Sequence, residues 1–326
     1  MLVLSRADVL ELLSLAECID AVEEAFRRHA DGHTLGPGVL EIPAADGGFH
    51  VKAAALLGER GYFAAKTNAN FPGNPERFGL PTIQGVVVLA DAGTGEPLAV
   101  IESGSVTALR TAAATGVAAR FLARRDARTA TIVGCGVQGE LQLAALAAVL
   151  PLRRARVVDL DRGRAERLAA RAEARLGLEV RAVADVGRAV RESDVCVTCT
   201  PARRALIGVA DVAPGTFVAA VGADTRGKQE LDPALLPRAT VVVDVLAQCA
   251  EIGELQHALA AGLMTRDQVH AELHEVVAGR RPGRRAADEI TVFDSCGTAL
   301  EDVAAAAAVV EKARATGRGS TVRLDG

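Results

Sequence analysis

Thr129-Ala-Thr-Ile-Val-Gly-Cys-Gly-Val-Gln-Gly139 decides how this chain is read, together with Asp159 twenty positions later. An apolar, β-branched run enters a Gly-x-Gly-x-x-Gly turn and leaves it into a helix-forming stretch. Gly134 permits the tight turn. Gly136 lets a pyrophosphate approach the backbone, and Gly139 lets the helix pack close to the strand. The free N–H groups of Gly136, Val137 and Gln138 and the helix dipole attract anions. The motif is weak alone, but here it lies inside a strand–turn–helix–strand unit, and Asp159 ends the next strand. A carboxylate there accepts both ribose hydroxyls and repels a 2′-phosphate. The expected cofactor is therefore NAD rather than NADP, with Arg162 as the residue that keeps NADP open.

Outward from this motif the pattern alternates. Strands are expected at 156–160, 179–182, 195–200, 216–221 and 240–243, with helices at 138–150, 162–175 and 186–191. Such alternation implies a parallel sheet with right-handed crossovers. The chain is expected to leave the pattern near 286–300. On the N-terminal side, 5–31 reads as two helices, with Ser5 and Ser14 as caps and Glu17 completing a capping box. Runs at 38–42, 49–53, 62–67, 84–91 and 97–102 predict a mostly antiparallel sheet with a hairpin at Asp91–Glu96. An Ala-rich helix follows at 105–125, and another at about 298–316 is expected to return to the first domain. The fold class is α/β: a Rossmann-type doubly wound parallel-sheet domain (115–301) plus an α+β substrate and dimerisation domain (1–114 with 302–326).

Composition narrows the partners. The 326 residues are 50% hydrophobic and 24% charged, with a formal net charge of −4. That suits about two domains and gives no basic field for nucleic acid. The short Arg clusters, including 280–285, read as solvated faces or loops. The N-terminus does not read as a signal peptide, and no apolar run reaches 18 residues, so no membrane span is expected. Six dispersed cysteines fit reduced thiols in the cytoplasm. Cys196-Val-Thr-Cys199 lies on a strand and lacks a second pair, His270 and His274 lack the zinc-protease spacing, and Cys135 is read as packing. No metal site is expected.

Six segments in order resemble the ornithine cyclodeaminase/μ-crystallin family over nearly the whole length. They are Lys66-Thr-Asn-Ala-Asn-Phe-Pro-Gly-Asn74, Gly79-Leu-Pro-Thr-Ile-Gln-Gly85, Thr107-Ala-Leu-Arg-Thr-Ala-Ala113, Gly134–Gly139, Gly222-Ala-Asp-Thr-Arg-Gly-Lys-Gln-Glu-Leu-Asp232 and Phe293-Asp-Ser-Cys-Gly297. The resemblance implies a homodimer made through the N-terminal domain, an active site between domains, and hydride transfer to or from an amino-acid Cα.

Residue by residue, Lys66 interrupts an apolar strand, so it must be paired or deprotonated if it faces inward. The resemblance places it near the substrate carboxylate and the reacting nitrogen. Arg110 opens an Ala-rich helix, where a guanidinium has room to hold a carboxylate bidentately. In the family it binds the substrate α-carboxylate. Asp224 follows a buried strand, at the sheet edge where ligands bind, and the resemblance makes it the acid/base. Thr82, Thr111, Thr200 and Ser295 match positions lining the cofactor. One departure stands out: Gly38 occupies the position of a family arginine that binds the carboxylate, and Lys52 is a candidate to supply that charge. The expected activity is NAD(H)-dependent oxidation or reduction at the C–N bond of a small L-amino acid or cyclic imine, closest in motif to alanine dehydrogenases. The rivals are an ornithine or lysine cyclodeaminase that uses NAD catalytically and releases ammonia, and a crystallin-like protein that binds NAD without turnover.

Overall fold

The computed structural model describes residues 1–324, which divide into two compact units: residues 1–110 with 298–324, and residues 111–297. In chain order the first unit contains β1 (Leu2–Leu4), α1 (Arg6–Leu12), α2 (Leu15–Ala30), β2 (Thr34–Ala44), β3 (Gly47–Leu56), β4 (Tyr62–Asn70), α3 (Asn74–Phe78), β5 (Ile83–Asp91) and β6 (Pro97–Glu102). The long helix α4 (Ser103–Leu122) carries the chain across the division. The second unit contains β7 (Thr129–Val133), α5 (Val137–Val149), β8 (Arg154–Val158), α6 (Arg162–Leu176), β9 (Glu179–Ala182), α7 (Val186–Arg191), β10 (Val195–Thr198) and β11 (Arg203–Ile207). It continues through β12 (Phe217–Ala220), β13 (Gln229–Leu231), β14 (Thr240–Val243), α8 (Leu246–Ile252), α9 (Leu255–Ala260), β15 (Ala271–Glu272), α10 (Leu273–Val277) and β16 (Thr291–Asp294). The chain then re-enters the first unit as α11 (Ala299–Thr316) and β17 (Ser320–Thr321).

In the first unit seven strands run in the order β17-β1-β6-β5-β4-β3-β2, antiparallel except for β1 beside β6. One face is covered and the other is not. The row Lys52, Lys66, Val87, Ile101 and Leu4 lies on the inner face. Against it packs α11, which is buried nearly all round and so reads as a core helix rather than an amphipathic one. The opposite face exposes Leu40, Ile42, Phe49, Phe63, Val86 and Val88, each at least 36% accessible. The two N-terminal helices begin as their caps dictate. Ser5 with Asp8, and Ser14 with Glu17, form reciprocal capping boxes.

In the second unit eight parallel strands run β15-β14-β16-β12-β10-β7-β8-β9. Buried on both faces, the inner strands are continuous apolar runs, and all five residues of β7 are buried. The chain starts at β7, extends to β8 and β9 on one side, then reverses to β10 on the other. The switch point thus lies between β7 and β10, where ligands of such sheets bind.

Three differences from the sequence expectation have physical causes. The stretch 286–300 does not leave the sheet: β16 is a fully buried strand between β12 and β14. Its Thr291-Val-Phe-Asp294 run has only two apolar residues and follows an Arg/Gly-rich stretch, so it gives no strand signal. The second strand of the alternation spans Arg154–Val158, two residues earlier than expected, because Asp159 and the fully exposed Leu160 belong to the turn. Arg284 is not a solvated side chain. It donates to the Leu122 carbonyl at 2.8 Å and to Thr291 Oγ1 at 2.9 Å, stapling the loop to α4 and β16.

Candidate functional site

Alternation along β4 sends Tyr62, Ala64 and Lys66 inward, while Phe63 and Thr67 face out. Lys66 is thereby 3% exposed. Its Nζ lies 2.8 Å from Asp302. Arg110, 5% exposed on α4, reaches Glu301 through Nη1 at 2.8 Å and Asp302 through Nε at 3.0 Å. Glu301 and Asp302 occupy the first turn of α11 behind the Thr298 cap, where the helix dipole favours acids. Asp302 therefore serves two cations at once.

Lys52 on β3 stands directly opposite Lys66 and is half-buried. Like charges placed so repel. Gly38 pairs with Ala53, so it faces the opposite side of the sheet from Lys52. Burial, then Arg110 and Lys52, draw the Lys66 ammonium down to about 7 against the pull of Asp302. Burial pushes the Asp302 carboxyl up, but Lys66 and Arg110 overcome it and hold it below the usual range. Lys52, Lys66 and Arg110 thus gather around the acids Glu301 and Asp302.

In the second unit the glycine turn has the geometry a pyrophosphate needs. Gly134 has φ +105°, and a Cβ there would meet the Cys199 carbonyl oxygen at 2.9 Å and Thr200 Cγ2 at 3.0 Å. A Cβ on Gly139 would strike the Gly134 carbonyl oxygen at 2.0 Å. Gly136, the N-cap of α5, would meet nothing within 4 Å, so its open side leaves room for phosphate. Val137 is exposed, and Gln138 Oε1 accepts from Gln142 Nε2 at 3.2 Å. Asp159 accepts N–H bonds from Cys135 at 2.8 Å and Asp161 at 2.9 Å, which fixes a carboxylate beside the turn. Arg162 is exposed and engaged with Glu166 at 2.8 Å. These residues fit an adenine dinucleotide lacking a 2′-phosphate. Cys135 is buried and its thiol is pushed up to about 12, mainly by burial, so it packs and does not react.

The remaining sequence candidates fall in different settings. Thr200 donates through N–H and Oγ1 to Glu230 at 2.6 and 2.7 Å, and it sits against Gly134. Ser295 donates to Asp244 at 2.9 Å. Thr111 is half-buried on α4, and Thr82 is half-buried before β5, where its carbonyl accepts from Phe71 N–H. Asp224 is half-exposed on the loop after β12 and pairs with Lys228 at 2.5 Å.

Sequence reasoning missed the acids. Glu301 and Asp302 lay unremarked in the Ala-rich helix expected at about 298–316. Glu230, Asp244, Glu254 and Asp294 are all at most 2% exposed near the C-terminal edge of the parallel sheet. The available signal was Asp or Glu next to, or within, apolar strand residues.

A family model described as the ornithine cyclodeaminase/mu-crystallin family matches residues 1–317. The chain belongs to this family. As a member it is 38% identical over 324 residues to the alanine dehydrogenase of Archaeoglobus fulgidus, covering 99% of this chain and 98% of that protein. An archaeal alanine dehydrogenase dimer with bound NAD matches with a TM-score of 0.95 at 38% identity, covering 99% of both chains. The Δ1-pyrroline-2-carboxylate reductase of Thermococcus litoralis, in complex with NADH and L-proline, matches with a TM-score of 0.94 at 35% identity, covering 99% of this chain and 100% of that one.

Proposed function

We propose that this family member is an NAD(H)-dependent oxidoreductase acting on the carbon–nitrogen bond of a small L-amino acid or its imine. The observation that carries the reading is the buried cluster in which Asp302 holds both Lys66 and Arg110. A lysine and an arginine buried together on shared acids are costly without a use, and a substrate carboxylate is the group that this basic cluster, with Lys52 beside it, is suited to hold. Arg110 and Lys66 hold that carboxylate, and Lys52 adds charge beside them. Fixing the carboxylate orients Cα for reaction, an effect of positioning rather than of chemistry. Gly134, Gly136, Val137, Gln138, Gly139 and Asp159 hold the dinucleotide, with Thr82, Thr111, Thr200 and Ser295 lining it. A nicotinamide held there would supply the acceptor or donor for the Cα hydride. Asp224 moves the proton that water attack on the imine and ammonia release require.

The uncovered face of the first unit's sheet supports a homodimer through that face, since apolar patches of this extent mark interfaces. Val86→Asp is expected to shift the sedimenting species from dimer to monomer. All six cysteines are free, which fits a reducing compartment such as the cytoplasm. Among the described residues no helix is long and apolar enough to cross a membrane.

The test is a panel of L-alanine, other small neutral amino acids, ornithine, lysine and cyclic imines, followed at the NADH absorbance band and by ammonia release. Stoichiometric NADH with ammonia from a monoamino acid, or NADH consumption with an imine, supports the reading. Ammonia from ornithine without net NADH would move it to cyclodeaminase. NAD binding with no turnover on the whole panel would sink it.

A further inference from the structure

The loop carrying Asp224 is half-exposed, so something must hold it. Its first half begins at Gly222, whose N–H donates to Glu230 Oε2 at 3.0 Å. Glu230 is itself the central residue of β13, where the loop ends, so one side chain ties the loop's start to its finish. The other oxygen, Oε1, accepts Thr200 N–H at 2.6 Å and Thr200 Oγ1 at 2.7 Å. Thr200 follows β10 and lies against Gly134 of the glycine turn. The fit at Gly222 is closed: a Cβ there would meet the Thr200 carbonyl oxygen at 2.4 Å and Glu230 Oε2 at 2.5 Å.

Glu230 is 0% exposed and is held by backbone amides and a hydroxyl rather than by a cation. Burying a carboxylate this way costs stability that an apolar residue would not. Its own backbone is braced in turn, since Glu254 accepts the N–H groups of Glu230 and Leu231 at 2.7 and 3.0 Å.

We propose that Glu230 is a positioning residue that sets the Asp224 loop and Thr200 in register at the switch point of the parallel sheet, a role that rests on the oxidoreductase reading above. It acts through the amides of Gly222 and Thr200 and the Thr200 hydroxyl. Burial, opposed by Thr200 and the Gly222 amide, raises its carboxyl above the usual range, consistent with a group kept for geometry rather than charge.

The substitution Glu230→Gln is nearly isosteric. Its amide oxygen can keep the Thr200 bonds, but its NH2 then meets the Gly222 N–H, donor against donor. Three readouts decide. Hydrogen exchange at Gly222 should accelerate at least about tenfold, since its bond is lost. kcat should fall about 10- to 100-fold while the amino-acid KM changes less than about threefold, since displacement of about 1 Å carries such a cost. The pH limb that Asp224→Asn removes should shift in Glu230→Gln. Glu230→Asp, which keeps the charge but shortens the reach, should behave like Glu230→Gln. Leu236→Ala, a core truncation in the same unit, should lower Tm without moving the pH limb or the kcat-to-KM split.

Unchanged exchange at Gly222 overturns the proposal. So does faster exchange with wild-type kcat and pH profile, which would make Glu230 structural only, and so does full rescue by Glu230→Asp. If the wild type itself turns over nothing, the oxidoreductase reading fails first, and exchange at Gly222 with NADH affinity in Glu230→Gln still decides whether Glu230 holds the loop and Thr200.

Discussion

The two units bury acids in opposite ways. In the first, Glu301 and Asp302 are matched by Arg110 and Lys66, side chain against side chain. In the second, Glu230, Asp244, Glu254 and Asp294 are held by backbone amides, hydroxyls and a thiol. The first arrangement leaves the cations ready for a charged ligand, because each already shares its counter-ion. The second spends its acids on shape: Asp294 takes the amides of Glu254 and Leu255, and Asp244 takes the Gly297 amide and the Ser295 hydroxyl. Removing a partner should therefore abolish binding in the first unit and misplace loops in the second.

Arg110→Ala tests the first half with the largest expected effect. It removes the guanidinium that Glu301 and Asp302 share, so kcat/KM should fall about a thousandfold and Tm should drop as well, as when one member of a buried pair is removed. Arg110→Lys should not rescue it, because an ammonium cannot span both carboxylates as the guanidinium does. Steady-state kinetics and calorimetry check both statements, and a variant with wild-type KM would break the contrast between the units.

Asp224→Asn should lower kcat about a hundredfold, the scale of a lost acid/base. Because Asp224 is half-exposed on a loop and held there by Lys228 and the Thr225 hydroxyl, Tm should stay within about 1 °C of wild type. Loss of stability without loss of kcat would assign Asp224 to the loop and not to the chemistry.

Lys66 gives the contrast a pH signature. Its folded pKa of about 7 lies below its ordinary 10.5, so between those values the unfolded chain binds the extra proton. Stability contributed by this group should therefore rise as pH increases from 7 to 8.5, by up to about 1.4 kcal/mol per pH unit. Above about 9 the buried thiols, Cys18 and Cys196 among them, oppose it, because burial keeps them protonated when folded while the unfolded chain releases those protons. Urea midpoints of wild type and Lys66→Met across pH 7–8.5 isolate the lysine: the variant should be the flatter of the two.

The Rossmann half was legible because every step of it is local. A glycine turn, an acid after the next strand and apolar runs of fixed length repeat a unit that needs no distant partner to be recognised. The β-rich half was legible as alternation, which sent Lys66 inward along β4. What could not be read was pairing across the chain. Lys66 and Asp302 are separated by 236 residues, and no sequence pattern places the first turn of α11 against β4. The acid ladder of the second unit was hidden for the same reason, since a Glu in Gln229-Glu-Leu231 reads as a surface charge until the loop it closes is known. β16 was missed because Thr291-Val-Phe-Asp294 has only two apolar residues and follows the Arg/Gly-rich stretch.

Lys52 is the smallest and sharpest test of what the first unit's basic cluster does. It is half-buried and faces Lys66 across the β3–β4 pair, so it raises the cost of charging Lys66 in the free protein. A substrate carboxylate arriving between them would turn that repulsion into shared attraction. Lys52→Ala should therefore raise the amino-acid KM about tenfold, the effect of about 1.4 kcal/mol, with kcat held within about twofold because the variant removes uniform binding. The same variant should ease the protonation of Lys66 and so flatten the stability rise between pH 7 and 8.5. An unchanged KM with a flattened pH response would leave Lys52 as a neighbour that tunes Lys66 and not a substrate ligand. Gly38→Arg would then restore nothing, since position 38 faces the opposite side of the sheet.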